Sequence, residues 1–528
     1  MDIGPDYHIG PDYHIGHLVF EHLKRHPDVV LQIDAATGGE ETYASVLSRS
    51  IRLARSLRSI GLKPGNVLAI GGRNHLNIHI PFYAALFNGL PIVGVDPYFK
   101  YEEIYTLFKR VKPTIAFCQA ESIDIYAKAA NALGLDIKLI AFDGEESTLT
   151  EFVQKYDTGH PEQDFQVAEF DIDKIYVFLV TTSGTTGNVK AAAFKHKPYM
   201  TKILAILRVH NQKNLKGERS LYLSPVHWVS RFFSTSFTPL TGSTMVQTSK
   251  PDNADHLVDI INKYKPESAL FSPTHMSYLV SRKDDVDLTC FRSISLTGSK
   301  IYPDVLLSFK KLLSNDMVAV EAYGQTEMIG PVLLPNPAGP NGNCGTGPIP
   351  GYSVKLVDVD SREEIKEPNV TGELLAKGLR FTEYYNDPEE TALAFTEDGY
   401  FKTGDLLYRD ANDNYFFVER IKSLIKYRNY HVLPSEIEQV IRSHPGVADV
   451  CVVGLRDVTD GEHAAAGVVR APGSAVTAQE ICDLVTDKLS KNKELRGGVV
   501  FLESLPYTST AKIARGKLKQ LIENRNGK

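Results

Sequence analysis

Residues 177–190 read Val-Phe-Leu-Val-Thr-Thr-Ser-Gly-Thr-Thr-Gly-Asn-Val-Lys. The run 175–180 is short, apolar, β-branched and aromatic, which predicts a buried strand. It leads into Thr181, Thr182, Ser183, Gly184, Thr185, Thr186 and Gly187, with Lys190 three residues further on. Hydroxyls, backbone amides and an ammonium suit a phosphate chain, and glycines let the backbone come close to it. The Walker A loop meets the same need but requires G-x-x-x-x-G-K-[ST] opening a helix, whereas residues 191–194 read as more strand. Taken as composition alone, the cluster is a polar hairpin turn. Two further stretches place a carboxylate beside a glycine. In Glu-Ala-Tyr-Gly-Gln-Thr-Glu (321–327), Gly324 permits close approach, Thr326 offers a hydroxyl and Glu327 is a hard oxygen ligand. In Tyr-Phe-Lys-Thr-Gly-Asp (400–405), the Asp405 carboxylate can accept from two neighbouring hydroxyls. The plain alternatives are a strand-end turn with an exposed Glu and an Asp in a loop.

The order Ser-Gly-Thr-Thr-Gly-x-x-Lys resembles the signature loop of the adenylate-forming superfamily: acyl-CoA synthetases, peptide-synthetase adenylation domains and firefly luciferase. Val189 stands where the family usually has Pro, and Ala191 where it has Gly. Residues 321–327 resemble the family's Y-G-x-T-E. That likeness implies that Tyr323 stacks on adenine between Ala322 and Gly324, that Thr326 meets phosphate and that Glu327 serves Mg²⁺. Residues 400–405 resemble its T-G-D motif, which implies that Asp405 holds the ribose. Residues 294–301 (Ile-Ser-Leu-Thr-Gly-Ser-Lys-Ile) are similar to the stretch lining adenine and the acyl group, where Thr297 and Gly298 fall. Ser299 and Lys300 replace the usual small, rigid pair. Trp228, three residues past Pro225 where many members have His, falls on the acyl-pocket border with Ser230 beside it. His227 reads as a structural histidine.

Residues 418–431 strongly resemble the luciferase and 4-coumarate–CoA ligase branch. Arg420 matches the arginine on ribose and phosphate, Lys422 the hinge, and Lys426 a lysine of the thioester half-reaction. Arg428 and Asn429 fall beside the pantetheine channel. Glu419 replaces an Asp, Asn429 a Gly and His431 a Gln; Asn tolerates a left-handed backbone better than most residues. Residues 506–515 resemble P-x-x-x-x-G-K-x-x-R, with Ala511 for the Gly and Lys512 kept.

The elements that must position these residues show in the hydrophobic periodicity. Thr42 caps a helix with Val46, Leu47, Ile51, Ala54 and Leu57 on one face and Gly61 at its end. Arg49, Arg52, Arg55 and Arg58 form a basic stripe on it, read as a solvated face. Strands over 67–70, 91–95, 114–118 and 137–142 alternate with helices over 78–87, 101–111 and 123–133. This alternation implies right-handed crossovers and a mainly parallel sheet. Residues 145–173 are acidic, polar and weakly periodic, and read as a linker. Beyond the loop, 199–209 reads as helix. Residues 345–357 open a β-rich subdomain, continued at 371–375. The last stretch reads as a compact α/β unit, with helices over 435–443 and 478–489 and strands over 450–455 and 465–469.

A chain of 528 residues suggests roughly three or four units of ~150 residues. Its 43% hydrophobic and 23% charged residues are ordinary for a globular enzyme. A formal charge of −6 gives no reason to expect nucleic acid. The odd set Cys118, Cys290, Cys344, Cys451 and Cys482, widely spaced, argues against a disulfide framework or zinc site. No apolar run reaches the ~18 residues of a membrane span. With no basic-then-apolar leader, and Asn-Gly-Lys rather than Ser-Lys-Leu at the end, the expectation is cytoplasmic. Residues 3–8 and 9–14 both read Ile-Gly-Pro-Asp-Tyr-His, which predicts a flexible duplicated tail over 1–16 rather than a repeat fold.

The resemblance runs from about residue 17 to 515, with its motifs in family order. It implies an α/β fold: a large N-terminal adenylating domain over 17–421, with parallel-sheet layers and a small β subdomain, and a small mobile α+β domain over 422–528. It implies an acid–thiol ligase that uses ATP, Mg²⁺ and coenzyme A on a small carboxylic acid, as a monomer or weak dimer. Lys512, Lys426 and Glu327 would be its catalytic residues. The rival expectations are a luciferase-like monooxygenase or other adenylate-only enzyme, and an inactive acyl-ligand binder.

Overall fold

The structure is a computed structural model that describes residues 12–183, 189–210, 216–251, 253–301, 303–314, 317–428, 430–507 and 512–525. Gly184, Thr185, Thr186, Gly187, Asn429 and Ala511 lie outside the described residues, as do residues 1–11 of the duplicated stretch. The chain forms two compact units. The first comprises Met1–Thr297, Tyr302–Ser353 and Ala376–Phe401; the second comprises Gly298–Ile301, Val354–Leu375 and Lys402–Lys528.

In the first unit, strands of four buried residues do most of the work. Leu68–Gly71, Ile92–Val95 and Ile115–Cys118 are buried throughout, as strands covered on both faces must be. The sheet runs Lys138–Ala141, Ile115–Cys118, Leu68–Gly71, Ile92–Val95, Tyr176–Ser183, all parallel. Val189–Lys195 and Glu383–Tyr384 then join antiparallel. The helices Tyr101–Val111 and Ile123–Leu133 occupy the residues that periodicity assigned. A second seven-stranded sheet runs Val318–Glu321, Ser293–Leu296, Ser268–Phe271, Arg219–Tyr222, Thr244–Gln247, Val30–Asp34, Gly39–Thr42. It too is parallel up to its antiparallel edge strand. Thr42 caps the helix Tyr43–Ser59 through Ser45 N.

In the second unit, Phe401–Arg409 pairs antiparallel with Asn414–Arg420. A further sheet runs Tyr430–Val432, Ile425–Tyr427, Gly461–Arg470, Val447–Asp457, with Val499–Leu502 parallel to Gly461–Arg470. Val447–Asp457 shows the period of two: Val450 and Val452 pack with Ile437, Ile441 and Ile481, while Cys451, Val453 and Leu455 pack with Leu518 and Ile522. Lys422 lies on the turn Ile421–Ser423, inside this unit. Among the described residues no helix is long and apolar enough to cross a membrane.

Three expectations are corrected. Residues 145–173 are not a structureless linker. Thr148 and Glu151 form a capping box that starts the helix Leu149–Tyr156, and a 3₁₀ turn follows at Glu162–Asp164. The arginine stripe is a solvated face only in part: Arg52 and Arg58 are exposed, but Arg52, Arg55 and Arg58 also bind that segment. Arg52 Nε donates to Asp157 Oδ2 at 2.9 Å, Arg55 Nη2 to Pro161 O at 2.8 Å and Arg58 Nη2 to Gln166 O at 2.8 Å. The Arg58 guanidinium also lies 4.8 Å from the centre of the Phe165 ring. The two misreadings share one cause, since an acidic, weakly periodic segment gains its order from the cations it docks against.

The third correction is at residues 14–16, where the chain is packed rather than a tail. Buried His14 caps the helix Ile15–Leu23, accepting from Gly16 N at 3.1 Å, with its other nitrogen 2.8 Å from Ala168 O. Its ring lies 4.2 Å from Phe170 and 5.3 Å from His196. Among the described residues, neither ring nitrogen of buried His196 meets a hydrogen-bond partner. Burial pushes His14 down to about 3 and His196 well below its usual value. The unfolded chain therefore takes up protons below pH ~6.5 that the folded chain refuses, so stability falls as pH falls. Each such histidine should remove roughly 1.4 kcal/mol per pH unit below ~6.5. Melting temperature should accordingly drop between pH 7 and 5, and drop less in His196→Phe. An unchanged slope in that variant would mean that His196 is already protonated in the fold.

Candidate functional site

The strand Tyr176–Ser183 turns back as Val189–Lys195, in a register that sets Thr182 opposite Lys190 and Ser183 opposite Val189. This register fixes Ser183 and Val189, the described residues on either side of the hydroxyl-rich stretch. Ala191 and Ala193 pack in the core with Val93 and Leu179, so the Ala191 methyl belongs to the packing of the strand.

Lys190 is only 8% exposed. Its ammonium ion-pairs with Glu390 and lies 4.9 Å from the centre of the Tyr384 ring. The Tyr384 hydroxyl donates to Glu327 Oε1 at 2.9 Å, so one ring touches both the cation and the carboxylate. Tyr384 is placed by the short strand Glu383–Tyr384, where it pairs with Ala192. Glu390 comes from the helix Pro388–Leu393, capped by Asp387, which in turn ion-pairs with Arg110.

Glu327 sits on the turn Thr326–Met328, between the paired strands Gly324–Gln325 and Gly330–Pro331. A Cβ on Gly324 would lie 2.1 Å from Gly330 O, so only glycine allows this closeness. Ile329 has φ 57°, a left-handed conformation costly for a β-branched residue by about 1–3 kcal/mol. Surrounding contacts must therefore impose the turn. One of them is Phe381 N donating to Glu327 O at 2.7 Å.

Thr297 and Ala322 follow the C-terminal ends of the neighbouring parallel strands Ser293–Leu296 and Val318–Glu321. There the Thr297 hydroxyl donates to Ala322 O at 3.2 Å. Strand C-termini are where open α/β sheets take ligands. Tyr323, next in the chain, is 7% exposed. Trp228 precedes the helix Val229–Thr241 and meets His227 edge-on, and the Ser230 hydroxyl donates to Ser224 Oγ at 2.9 Å. His227 is buried 3.4 Å from Asp96; burial lowers its pKa against the pull of that carboxylate.

In the second unit, Asp405 is buried and its Oδ1 lies 2.8 Å from Arg420 Nε, with Asp405 and Arg420 directly opposite in register. Gly404 takes φ 66° within the strand, and Thr403 Oγ1 accepts from Asp405 N at 3.1 Å. Gly298 takes φ 110° and is exposed. Lys300 donates to Val418 O at 2.7 Å, and burial lowers its pKa. Lys426 is exposed on Ile425–Tyr427, whose other two residues point inward. Arg428 has φ 52° and donates to Asp460 Oδ1 at 2.8 Å. Lys512 is exposed, and Tyr507 bridges Ile513 beside it. Arg515 binds the fully buried Glu438 at 2.8 Å and lies 3.9 Å from Glu419.

In the first unit the structure brings Thr182, Lys190 and Glu327 into one neighbourhood, and Thr297 with Ala322. In the second it joins Asp405 to Arg420. Sequence reasoning missed Tyr384 and Glu390. The one local signal for them is Asp-Pro-Glu-Glu at 387–390, a helix start that places Glu390.

The model of the AMP-binding enzyme family matches residues 19–385, and that of the AMP-binding enzyme C-terminal domain matches residues 436–512. A luciferin 4-monooxygenase of Photuris pensylvanica is 30% identical, with 99% of this chain and 98% of the relative covered. A 4-coumarate–CoA ligase of Oryza sativa subsp. japonica is 29% identical, with 92% and 88% covered. Among solved structures, ATP-bound MatB from Rhodopseudomonas palustris superposes with a TM-score of 0.84 at 22% identity, over 97% of this chain and all of that one. With the family model spanning most of its length and its fold shared, the chain belongs to the AMP-binding, adenylate-forming enzymes.

Proposed function

We propose that the protein is an acyl-CoA synthetase. It activates a carboxylic acid with ATP to an acyl-adenylate, releasing pyrophosphate, then passes the acyl group to coenzyme A and releases AMP. The observation that carries this reading is the Lys190–Tyr384–Glu327 cluster beside the Thr182–Lys190 register, a cation and a hard carboxylate held against one ring. The similarity to a rice 4-coumarate–CoA ligase and the shared fold of ATP-bound MatB support it.

A carboxylate attacking a triphosphate brings anions together, so the step needs positive charge more than a base. In this reading Thr182, Ser183, Gly184, Thr185, Thr186, Gly187 and Lys190 hold the β- and γ-phosphates. Gly298, Ala322, Tyr323 and Gly324 border adenine, Thr326 meets phosphate, and Asp405 with Arg420 holds the ribose. Lys512 meets the attacking carboxylate and the α-phosphate. A carboxylate oxygen bonds to the α-phosphorus as the bond to the pyrophosphate oxygen breaks. The half-buried Glu327 carboxylate, one oxygen of which accepts from Tyr384, fits an oxygen-seeking dication. Magnesium bound there would neutralise charge on the leaving pyrophosphate. Rotation about Lys422 then replaces Lys512 with Lys426, and the coenzyme A sulfur, passing Arg428 and Asn429, attacks the acyl carbonyl. Trp228, Ser230 and Thr297 border the acyl group.

The Photuris relative favours a second reading, in which the adenylate passes to oxygen instead. A panel of carboxylic acids scored by pyrophosphate release, with and without coenzyme A, separates the two. A free acyl thioester is expected. An adenylate that persists beside coenzyme A selects the second reading, and no release with any acid leaves only a binder.

Lys512→Ala should slow adenylate formation about a hundredfold, as loss of one preorganised charge contact costs ~3 kcal/mol, and should largely spare thiolysis of supplied adenylate. Equal loss in both half-reactions would contradict the exchange of lysines. Asp405→Ala should weaken ATP binding by roughly 1.5–3 kcal/mol, the worth of hydrogen bonds to a charged acceptor. Unchanged affinity in a nucleotide titration would leave Asp405 only its ion pair with Arg420.

A further inference from the structure

Lys202, on the helix His196–His210, is 2% exposed. Its Nζ donates to Pro331 O at 2.6 Å and to the Tyr352 hydroxyl at 3.2 Å, and lies 4.5 Å from the centre of the Tyr352 ring. Among the described residues no carboxylate lies within ion-pair distance of it. Burial lowers its pKa to about 8. Ile203, Leu204 and Leu207 on the same helix are buried and apolar. An apolar side chain at 202 would avoid the cost of burying an ammonium without a counter-charge. The lysine must therefore serve a purpose that packing alone does not.

Its two acceptors indicate that purpose. Pro331 is the residue paired with Gly324, at the open end of the hairpin that carries Glu327. The Tyr352 hydroxyl, while accepting from Lys202, donates to Met328 O at 2.8 Å, at the tip of the same hairpin. One ammonium thus grips the hairpin at its base directly and at its tip through a phenol. Glu327 immediately precedes Met328, the residue gripped at the tip, and lies two residues before the left-handed Ile329, whose conformation the turn must be forced to keep.

We propose that Lys202 is a positioning residue for Glu327, fixing the 324–331 hairpin, together with Tyr352, in the conformation that presents this carboxylate to a divalent cation. The proposal rests on the reading of Glu327 as a metal-binding carboxylate, and its test separates the two. Hydrogen exchange in the metal-free protein reads the brace without any chemistry. Amides of residues 324–331 should exchange faster in Lys202→Met, and to a lesser degree in Tyr352→Phe, while those of Val447–Asp457 should not change. Pyrophosphate release titrated with Mg²⁺ reads the consequence. The Mg²⁺ needed for half-maximal rate should rise roughly tenfold, the usual effect of losing an outer partner of a metal ligand. The ATP KM at saturating Mg²⁺ should stay put.

Native exchange rates over 324–331 in both variants overturn the proposal, as does a fall in kcat with unchanged Mg²⁺ dependence. If Lys202→Met does not fold, Tyr352→Phe alone decides by the same two readouts. If none of the acids elicits pyrophosphate release from the native protein, the functional reading fails, and hydrogen exchange still decides the brace.

Discussion

The antiparallel register that sets Thr182 against Lys190 is the constraint on which the first unit's site depends. It fixes where the hydroxyl-rich loop leaves and re-enters the sheet, and it turns the Lys190 ammonium into the protein, where it must find a counter-charge. Glu390 supplies that charge and Tyr384 shields it, and Tyr384 can do so only because Glu383–Tyr384 pairs with the same strand. The carboxylate Glu327 is then tied in through the Tyr384 hydroxyl. One strand pairing thus determines the setting of the cation, the ring and the carboxylate.

The same electrostatic pattern recurs across the chain. Asp405 is buried against Arg420, and Glu438 against Arg515. A buried ion pair adds little net stability, since desolvation offsets attraction, but removing one partner costs about 3–5 kcal/mol. Such pairs keep charge in place until another charge takes it over. In the proposed reading a nucleotide takes over these charges, its phosphates from Glu390 at Lys190 and its ribose hydroxyls from Arg420 at Asp405. Lys202 departs from the pattern, because its acceptors are a carbonyl and a phenol. Its charge strengthens two hydrogen bonds rather than neutralising an anion.

Much of this was legible in the sequence, where local rules suffice. Short apolar strands alternating with capped amphipathic helices gave the parallel sheets, and Tyr101–Val111 and Ile123–Leu133 fall on the residues expected. Glu327 stands at a turn that Gly324 permits, as its glycine suggested, whereas Asp405 lies within the strand Phe401–Arg409 beside Gly404. What escaped depends on contacts distant in the chain. Lys190 meets Glu390 across two hundred positions, and no local pattern marks that pair. The helix Leu149–Tyr156 carried a capping-box signal at Thr148 and Glu151, but its order also comes from arginines a hundred residues away. His14 looked like part of a tail because its burial depends on Ala168 and His196. The helix over 199–209 was legible, but no local pattern marks Lys202 within it, and only the fold reveals what it grips.

The central claim is that this chain joins a carboxylate oxygen to the α-phosphorus of ATP. Supplying an accepted acid labelled with ¹⁸O in its carboxyl group tests the claim at the bond itself. The account predicts that the AMP released after thiolysis carries one labelled oxygen, left on phosphorus when the acyl group departs. Unlabelled AMP, or ADP and phosphate in place of AMP and pyrophosphate, would contradict it.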